Sequence, residues 1–438
     1  MHQLAISRSR LVLIGLHGVL YTVLLTAYVT YVAPRFTSQG FVQLTSWFTA
    51  CLGFLAVTIA AAMIPNRTKP SSFFLHLTLA TAITPGFVIL GIADHPWRYG
   101  LLNLLSFLVV VAVARCSIKI KLLKPVTTSK QLLSLFATAS AVTALLVYAS
   151  GGYRFINLDL TRVYELRSAA AEALPSAFKY ILPIATKILI PSGIAIALAT
   201  HRYRFVVAFV FIGLAIALAF NHKAAFVYPV IVIGVWFVAT KRMPSIWMLA
   251  CLLAVIAIGM IDALAIGAAN QYYVSWVASI GIRRAFMVPA LLNLYYWEYF
   301  TANPTILWAD SRLTMGLLSS PYEVNAPQLI AHEYFAANTM SANTGWIGSG
   351  MAQAGHLGVL VYSMGLGCVL VLADNCSKRL GFPLTVSLFF ISVITAATST
   401  DFLTLFVTHG FAVVILIAVM LKMNQFRRSS EPGCGIGR

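Results

Sequence analysis

The strongest constraint on this chain is the recurrence of long apolar runs separated by short polar turns. An α-helix needs about 17–25 apolar residues to cross a hydrocarbon core of about 30 Å. Lipid cannot satisfy the backbone groups of an open strand, so runs of this kind fold as helices. About 12 spans are expected, at 11–33, 45–64, 75–93, 99–115, 131–149, 182–200, 205–220, 224–240, 245–265, 354–373, 381–399 and 405–422. Sixty per cent of the 438 residues are hydrophobic and 10% are charged, which leaves little material for a separate soluble module. The expected fold is therefore an all-α polytopic membrane protein with one integral domain over 1–438. It carries two sizeable polar loops, a smaller one at 150–181 and a large one at 266–353.

The net charge of +18 raises the question of a nucleic-acid partner, and the distribution of the charge argues against one. With both termini cytoplasmic, the inner segments hold Arg8, Arg10, Arg67, Lys69, Arg115, Lys119, Lys121, Lys124 and Lys130. They also hold Arg202, Arg204, Lys241, Arg242, Lys378, Arg379, Lys422, Arg427, Arg428 and Arg438, which brings the inner share to 19 of the 30 Lys and Arg residues. The positive-inside rule accounts for that bias, so most of the excess is topology. Of the 12 acidic residues, Asp374 and Glu431 fall inside, and the other ten lie outside or near outer helix ends. The outer face thus mixes both signs of charge, as a polar site requires. The basic inner loop 115–130 reads as topology plus contact with anionic membrane lipids.

The six cysteines, Cys51, Cys116, Cys251, Cys368, Cys376 and Cys434, lie in spans or on the inner side, so no disulfide framework is expected. No CxxC or HExxH motif occurs, and neither a metal nor a cofactor is expected. The N-terminal apolar run is long and lacks a clear cleavage site, so it reads as the first span.

Spans one to four read as scaffold, with Pro85 expected to bend the third because proline removes a backbone donor. His17 and His76 read as packed or interfacial histidines. In the smaller loop, Ser150-Gly151-Gly152 breaks the fifth span. Asp159 can cap a short helix over 161–173, on which Arg162 and Glu165 share a face. Lys187 falls at membrane depth just inside the sixth span, between Pro183 and Pro191. It either snorkels or marks a water-filled cavity. Lys223 in the Asn221-His222-Lys223 turn has the same two readings, and Asp401 and His409 are placed similarly.

The stretch Arg283–Gly350 holds the main concentration of polar chemistry. It opens with Arg283-Arg284, continues through Tyr295-Tyr296-Trp297-Glu298-Tyr299-Phe300, and carries Asp310, Arg312, Glu323, His332 and Glu333. It closes on Asn343-Thr344-Gly345-Trp346. Arginine forks bind phosphate oxygens and remain protonated at any working pH, so they can stabilise charge on a departing diphosphate. A carboxylate or histidine can accept the proton of an attacking hydroxyl. Aromatic faces suit sugar C–H surfaces. These parts fit glycosyl transfer from a lipid-linked diphosphate sugar. Adjacent helical residues point about 100° apart, so one arginine of the pair is expected to face a cavity and the other to brace a carboxylate or headgroup.

The chain also resembles a known family. The features are Arg-Arg-x-Phe-x-Val-Pro-Ala at 283–290, the aromatic stretch ending Tyr299-Phe300 before Asn303-Pro304, and Asn343-Thr344-Gly345-Trp346-Ile347 before Gly355 and Gly358. Asn221-His222-Lys223-Ala224 at a span start is a further match. Together they are similar to the O-antigen polymerase family, the Wzy-type repeat-unit polymerases. The resemblance covers about 120 residues in its specific motifs. It implies an inverting, metal-independent glycosyltransferase with a GT-C-like helical core in a bacterial inner membrane, its active site facing the periplasm. The donor would be a glycan on undecaprenyl diphosphate and the acceptor a second lipid-linked repeat unit. The resemblance also admits a chain-length regulator protein as a partner. Carried over by position, Arg283 and Arg284 would bind diphosphate, with Arg162 and Lys223 in support and Arg312 a further substrate contact. Glu298, His332 and Glu333 are unranked candidates for proton acceptance, and Asn343 and Tyr299 would orient sugar hydroxyls. Two rivals share the outline: an O-antigen ligase that transfers glycan to lipid A–core, and a lipid-linked oligosaccharide flippase.

Overall fold

The computed structural model describes residues 2–43, 46–116, 118–156, 169–170, 173, 175–220, 223–269, 274–309, 314, 317–337, 340–407 and 409–422. Among these, nine helices are long and apolar enough to cross a membrane: α1 (Arg8–Arg35), α3 (Pro70–Ile92), α4 (Pro96–Arg115), α5 (Ser129–Ala149), α6 (Ile181–Ala199), α7 (Tyr203–Phe220), α9 (Pro244–Ala269), α10 (Trp276–Ala302) and α12 (Trp346–Leu380). Four shorter apolar helices complete the set: α2 (Trp47–Met63), α8 (Lys223–Ala239), α13 (Phe382–Thr398) and α15 (Phe411–Met420). Two further short helices, α11 (Ala326–Phe335) and α14 (Phe402–Val407), lie at the cavity described below. The protein is an all-α polytopic membrane protein. The one sheet among the described residues pairs β1 (Thr127–Thr128) with β2 (Leu421–Lys422) in parallel.

α12 is the central element, packing on α3, α4, α10 and α13. α6 forms a second centre against α5, α7, α8 and α13, and α1 joins α2 to α9. α3 is buried along its whole length. His17 of α1 and His76 of α3 are packed against each other, Nε2 to Nδ1 at 3.1 Å, with stacked rings.

Three expected boundaries change. First, the large loop 266–353 contains α10, a 27-residue helix that lies against the bundle. Arg283, Arg284 and Glu298 lower its apolarity and hide it from a hydropathy reading. Its start runs beside α9, with Ala278 against Gly259 and Val255 against Gly281. Further along, Tyr99 at the start of α4 donates to the Ala290 carbonyl, 3.3 Å. Second, the span expected at 354–373 is part of a longer helix, Trp346–Leu380, that breaks at Ala354 and Gly355. Gly355 has φ +58°, which costs a side-chain-bearing residue but not glycine. The break folds the first eight residues back on the rest, so that a Cβ on Gly358 would lie 2.0 Å from the Gly350 carbonyl oxygen. Third, the span expected at 405–422 is divided into α14 and α15 at Gly410, with φ +71°. The helix expected at 161–173 lies mostly outside the described residues.

Proline marks widened turns in these helices. Four of them contain π-helical stretches, Tyr28–Val32, Leu79–Ile83, Ala185–Leu189 and Ser279–Met287. Each stretch ends two residues before a proline: Pro34, Pro85, Pro191 and Pro289. A proline ring clashes with the carbonyl four residues back and offers that carbonyl no N–H. Widening the turn by one residue moves the carbonyl away and lets the preceding amide reach five residues back. The Ile190 amide donates to the Ala185 carbonyl, and the Thr84 amide to the Leu79 carbonyl. Stretches of this kind occur often at functional sites.

Candidate functional site

At one end of the bundle is a cavity of about 660 Å³, within the range of about 300–1,000 Å³ typical of small-molecule sites. Its polar lining comes from six places in the chain, one of them Asn325 just before α11. Thr186 and Lys187 lie on the π stretch of α6, and Tyr296 on α10. Asn343, Thr344, Ser349 and Gln353 lie on the re-entry into α12. Ser399, Thr400 and Asp401 follow the end of α13, and His409 lies between α14 and α15. Leu182, Ile216 and Phe220 supply apolar wall.

The wall is fixed by hydrogen bonds. Asn293, buried on α10, accepts from the Thr344 hydroxyl at 2.6 Å and from the Gly348 amide at 3.0 Å. This holds the N-terminal turn of α12 in place. The Tyr296 hydroxyl donates to the Ala342 carbonyl at 3.0 Å. The far end of the eight-residue segment is covered by the chain after α10, where the Ile306 and Leu307 amides donate to the Ala352 and Gln353 carbonyls. Helix ends carry unpaired carbonyls, and these donors satisfy two of them at the break.

Three ionisable side chains line the cavity: Lys187, Asp401 and His409. Asp401 is held through both oxygens. Oδ1 accepts from the Thr404 amide at 2.9 Å and the Thr404 hydroxyl at 3.0 Å, capping α14, and Oδ2 accepts from the Tyr362 hydroxyl at 2.8 Å. Tyr362 accepts in turn from the Trp308 indole at 3.0 Å. Lys187 is half-buried and has no hydrogen bond or ion pair among the described residues. His409 falls in the break before α15, outside the apolar helices. Its Nδ1 is buried without a partner among the described residues.

Of the ten site residues drawn from the sequence, Asn343 lines this cavity. Arg283 is buried on the π stretch of α10 and faces elsewhere. Its guanidinium donates to Ser279 Oγ at 2.8 and 3.2 Å and to Gln39 Oε1 at 2.6 Å, and it lies 4.4 Å from the centre of the Phe36 ring. Arg284 is exposed on the adjacent face of α10. The arginine that braces does so through an amide, a hydroxyl and a ring. Glu298 is half-buried on α10. His332 and Glu333 are exposed on α11, whose opposite end, Ala326 and Pro327, reaches the cavity. Tyr299 joins an aromatic group outside the cavity with Phe300 and Tyr322. Burial, then the Tyr299 hydrogen bond, pushes the Tyr322 hydroxyl up to about 12. Arg162, Arg312 and the Lys223 side chain lie outside the described residues.

The sequence left Lys187, Asp401 and His409 open between snorkelling and facing a cavity, and the fold brings all three to one cavity. Asn293, Thr344, Ser349 and Gln353 escaped it. The available signal was a polar amide inside an apolar helical run, at Leu292-Asn293-Leu294 and Met351-Ala352-Gln353-Ala354. Among the described residues, no group of three or more His, Cys, Asp or Glu is arranged to hold a metal ion. Comparison with known proteins adds no relative: no family model, no curated protein and no solved structure matches the chain.

Proposed function

We propose that this protein is a membrane glycosyltransferase that polymerises O-antigen or a related surface polysaccharide. It transfers a growing glycan from undecaprenyl diphosphate to a lipid-linked repeat unit. The observation that carries this reading is the polar cavity at one end of an apolar bundle, lined by Lys187, Asp401 and His409 and walled by the Asn343–Gly350 stretch. The sequence resemblance supports it through that same stretch.

In this scheme Lys187 faces the diphosphate. A lysine without an ion-pair partner, held at the wall of an apolar bundle, stabilises an anion more strongly than it would in water. The acceptor hydroxyl attacks the anomeric carbon from the face opposite the diphosphate. The new C–O bond forms as the bond to the phosphate oxygen breaks, and the configuration inverts. The hydroxyl proton passes to the protein. His409 is the better acceptor, since its Nδ1 has no partner among the described residues, whereas both Asp401 oxygens already accept hydrogen bonds. A diphosphate bound beside His409 raises the imidazole's proton affinity. Asp401, fixed by Tyr362 and Thr404, orients the acceptor. Asn343, Thr344, Ser349 and Gln353 offer donors and acceptors to sugar hydroxyls. Arg283 serves as a brace for α10. The scheme runs on side chains alone, in a bacterial inner membrane, with the cavity on the periplasmic side and a GT-C-like arrangement of the spans.

The test uses purified protein in proteoliposomes with lipid-linked repeat units as both donor and acceptor. Formation of a ladder of longer glycans supports the proposal. A strict requirement for lipid A–core identifies a ligase instead, and movement of substrate across the bilayer without lengthening identifies a flippase.

A further inference from the structure

At the end of α12 opposite the cavity, the chain between α4 and α5 crosses the bundle as an extended strap. Asn375 near the end of α12 pairs with it like a neighbouring strand: its amide donates to the Ile118 carbonyl at 2.9 Å, and its Oδ1 accepts from the Ile120 amide at 3.3 Å. Arg379 donates to the Leu123 carbonyl at 3.1 Å and to the Ala418 and Val419 carbonyls at the end of α15, at 2.7 and 2.5 Å. The Val126 amide donates to the Met420 carbonyl at 3.0 Å, and the two-residue parallel sheet follows. The strap is thus tied at the level where α12 and α15 end.

Its side chains are unsuited to water. Ile118, Ile120, Leu123 and Val126 are 57%, 39%, 72% and 68% exposed. They are interleaved with exposed Lys119, Lys121 and Lys124. In an extended chain, alternate side chains point to opposite sides. Isoleucines at 118 and 120 therefore share one side and lysines at 119 and 121 the other. An apolar edge beside a cationic edge, held at the ends of membrane helices, matches the boundary between acyl chains and headgroups. Lysine stems lie along apolar surface while their ammonium groups reach phosphate.

We infer that residues 118–126 form a bilayer-facing strap that binds anionic phospholipid headgroups, with Lys119, Lys121 and Lys124 as the cations and Ile118 and Ile120 seated at the acyl boundary. This site does not depend on the glycosyltransferase reading. The occupant is a lipid because the apolar side chains border the ends of α12 and α15, where a bilayer surface must lie if those helices cross it.

Native mass spectrometry of the full chain, released from mixed micelles of phosphatidylglycerol and phosphatidylcholine, tests the inference. The wild-type protein is expected to retain phosphatidylglycerol above its share of the mixture. K119S/K121S/K124S should lower the bound ratio about tenfold, or to that of the mixture. I118S/I120S keeps the charge and should also weaken retention. R202S/R204S/K241S removes equal charge from other turns and should leave the ratio near wild type. Circular dichroism and gel filtration check that each variant is folded. An unchanged ratio in the lysine variant overturns the inference, as does an equal fall in the variant altered elsewhere. Loss of a bound protein with an unchanged lipid ratio would make the strap a protein-docking surface and also overturn it.

Discussion

Arg283 separates a catalytic role from a bracing one more sharply than any other residue in the chain. The sequence suggests that it binds diphosphate, whereas the fold buries it against Ser279, Gln39 and Phe36. A hydrogen bond from a charged donor contributes about 1.5–3 kcal/mol net, and a cation over an aromatic face about 0.5–2 kcal/mol. The two bonds to Ser279 share one acceptor and count as one. Truncation to alanine also leaves Gln39 and Ser279 without their partner, although water at the bundle end recovers part of that loss. Arg283→Ala is therefore expected to destabilise the protein by about 2–4 kcal/mol. Gln39→Ala should produce a smaller loss, and the double variant should fall short of the sum by about 1–3 kcal/mol, the signature of a direct contact. Unfolding by sodium dodecyl sulfate titration in mixed micelles, followed by circular dichroism, measures all three. Glycan lengthening should decline in step with the folded fraction. If Arg283→Ala unfolds like the wild type yet makes only single-repeat products, the residue touches substrate and the bracing argument is wrong. A coupling near zero between positions 39 and 283 would refute it independently.

Two further outcomes are expected. Lys187→Met should lower glycan lengthening by about 100- to 1,000-fold with little change in stability, as loss of one donor to a developing anion does in enzymes generally, and Lys187→Arg should retain part of the activity. Pro191→Ala returns a donor to the Lys187 carbonyl and removes the reason for the π stretch. Stability should change by no more than about 1 kcal/mol, because the gained bond offsets the greater freedom of the unfolded chain, while turnover falls at least about tenfold as Lys187 shifts.

The lengths of the apolar runs made most of the helices legible, because a hydrocarbon core sets the run length directly. α10 was obscured by its own function in packing. Asn293 holds the start of α12 and Arg283 holds the chain after α1, and both lower the hydropathy of a buried helix. α12 extends past its expected end because Asn375 and Arg379 spend their polar groups on the strap and on the carbonyls of α15. Neither partner is near in sequence, so nothing local announced the extension. In the site, charges at membrane depth were legible because their cost demands a reason; Lys187, Asp401 and His409 belong to that class. At Arg283 a family-like motif and a buried brace use the same residue, so the sequence alone does not separate the two roles. Asn343 was found through its motif, while Thr344, Ser349 and Gln353 look in sequence like ordinary small or polar residues in a helix.

The cavity lining has a property that a packing defect would lack. Much of it comes from places where the chain gives up regular helix. Lys187 and Thr186 lie on the π stretch set by Pro191. Ser349 and Gln353 lie on the segment that Gly355 turns back. Asp401 follows the end of α13, and His409 sits at the Gly410 break. Irregular backbone at membrane depth is tolerated only where it is buried in protein or lines a water-filled space. A void left by poor packing would be walled by intact apolar helices and would need no such breaks. Here four separate departures from helix deliver one cation, one carboxylate, one imidazole and a set of hydroxyl and amide groups to one volume. Local rules of sequence and structure are broken together mainly where a site requires it. That coincidence of breaks is the physical reason to treat the cavity as the place where chemistry happens, and to test Lys187 and His409 before any exposed residue of the neighbouring loops.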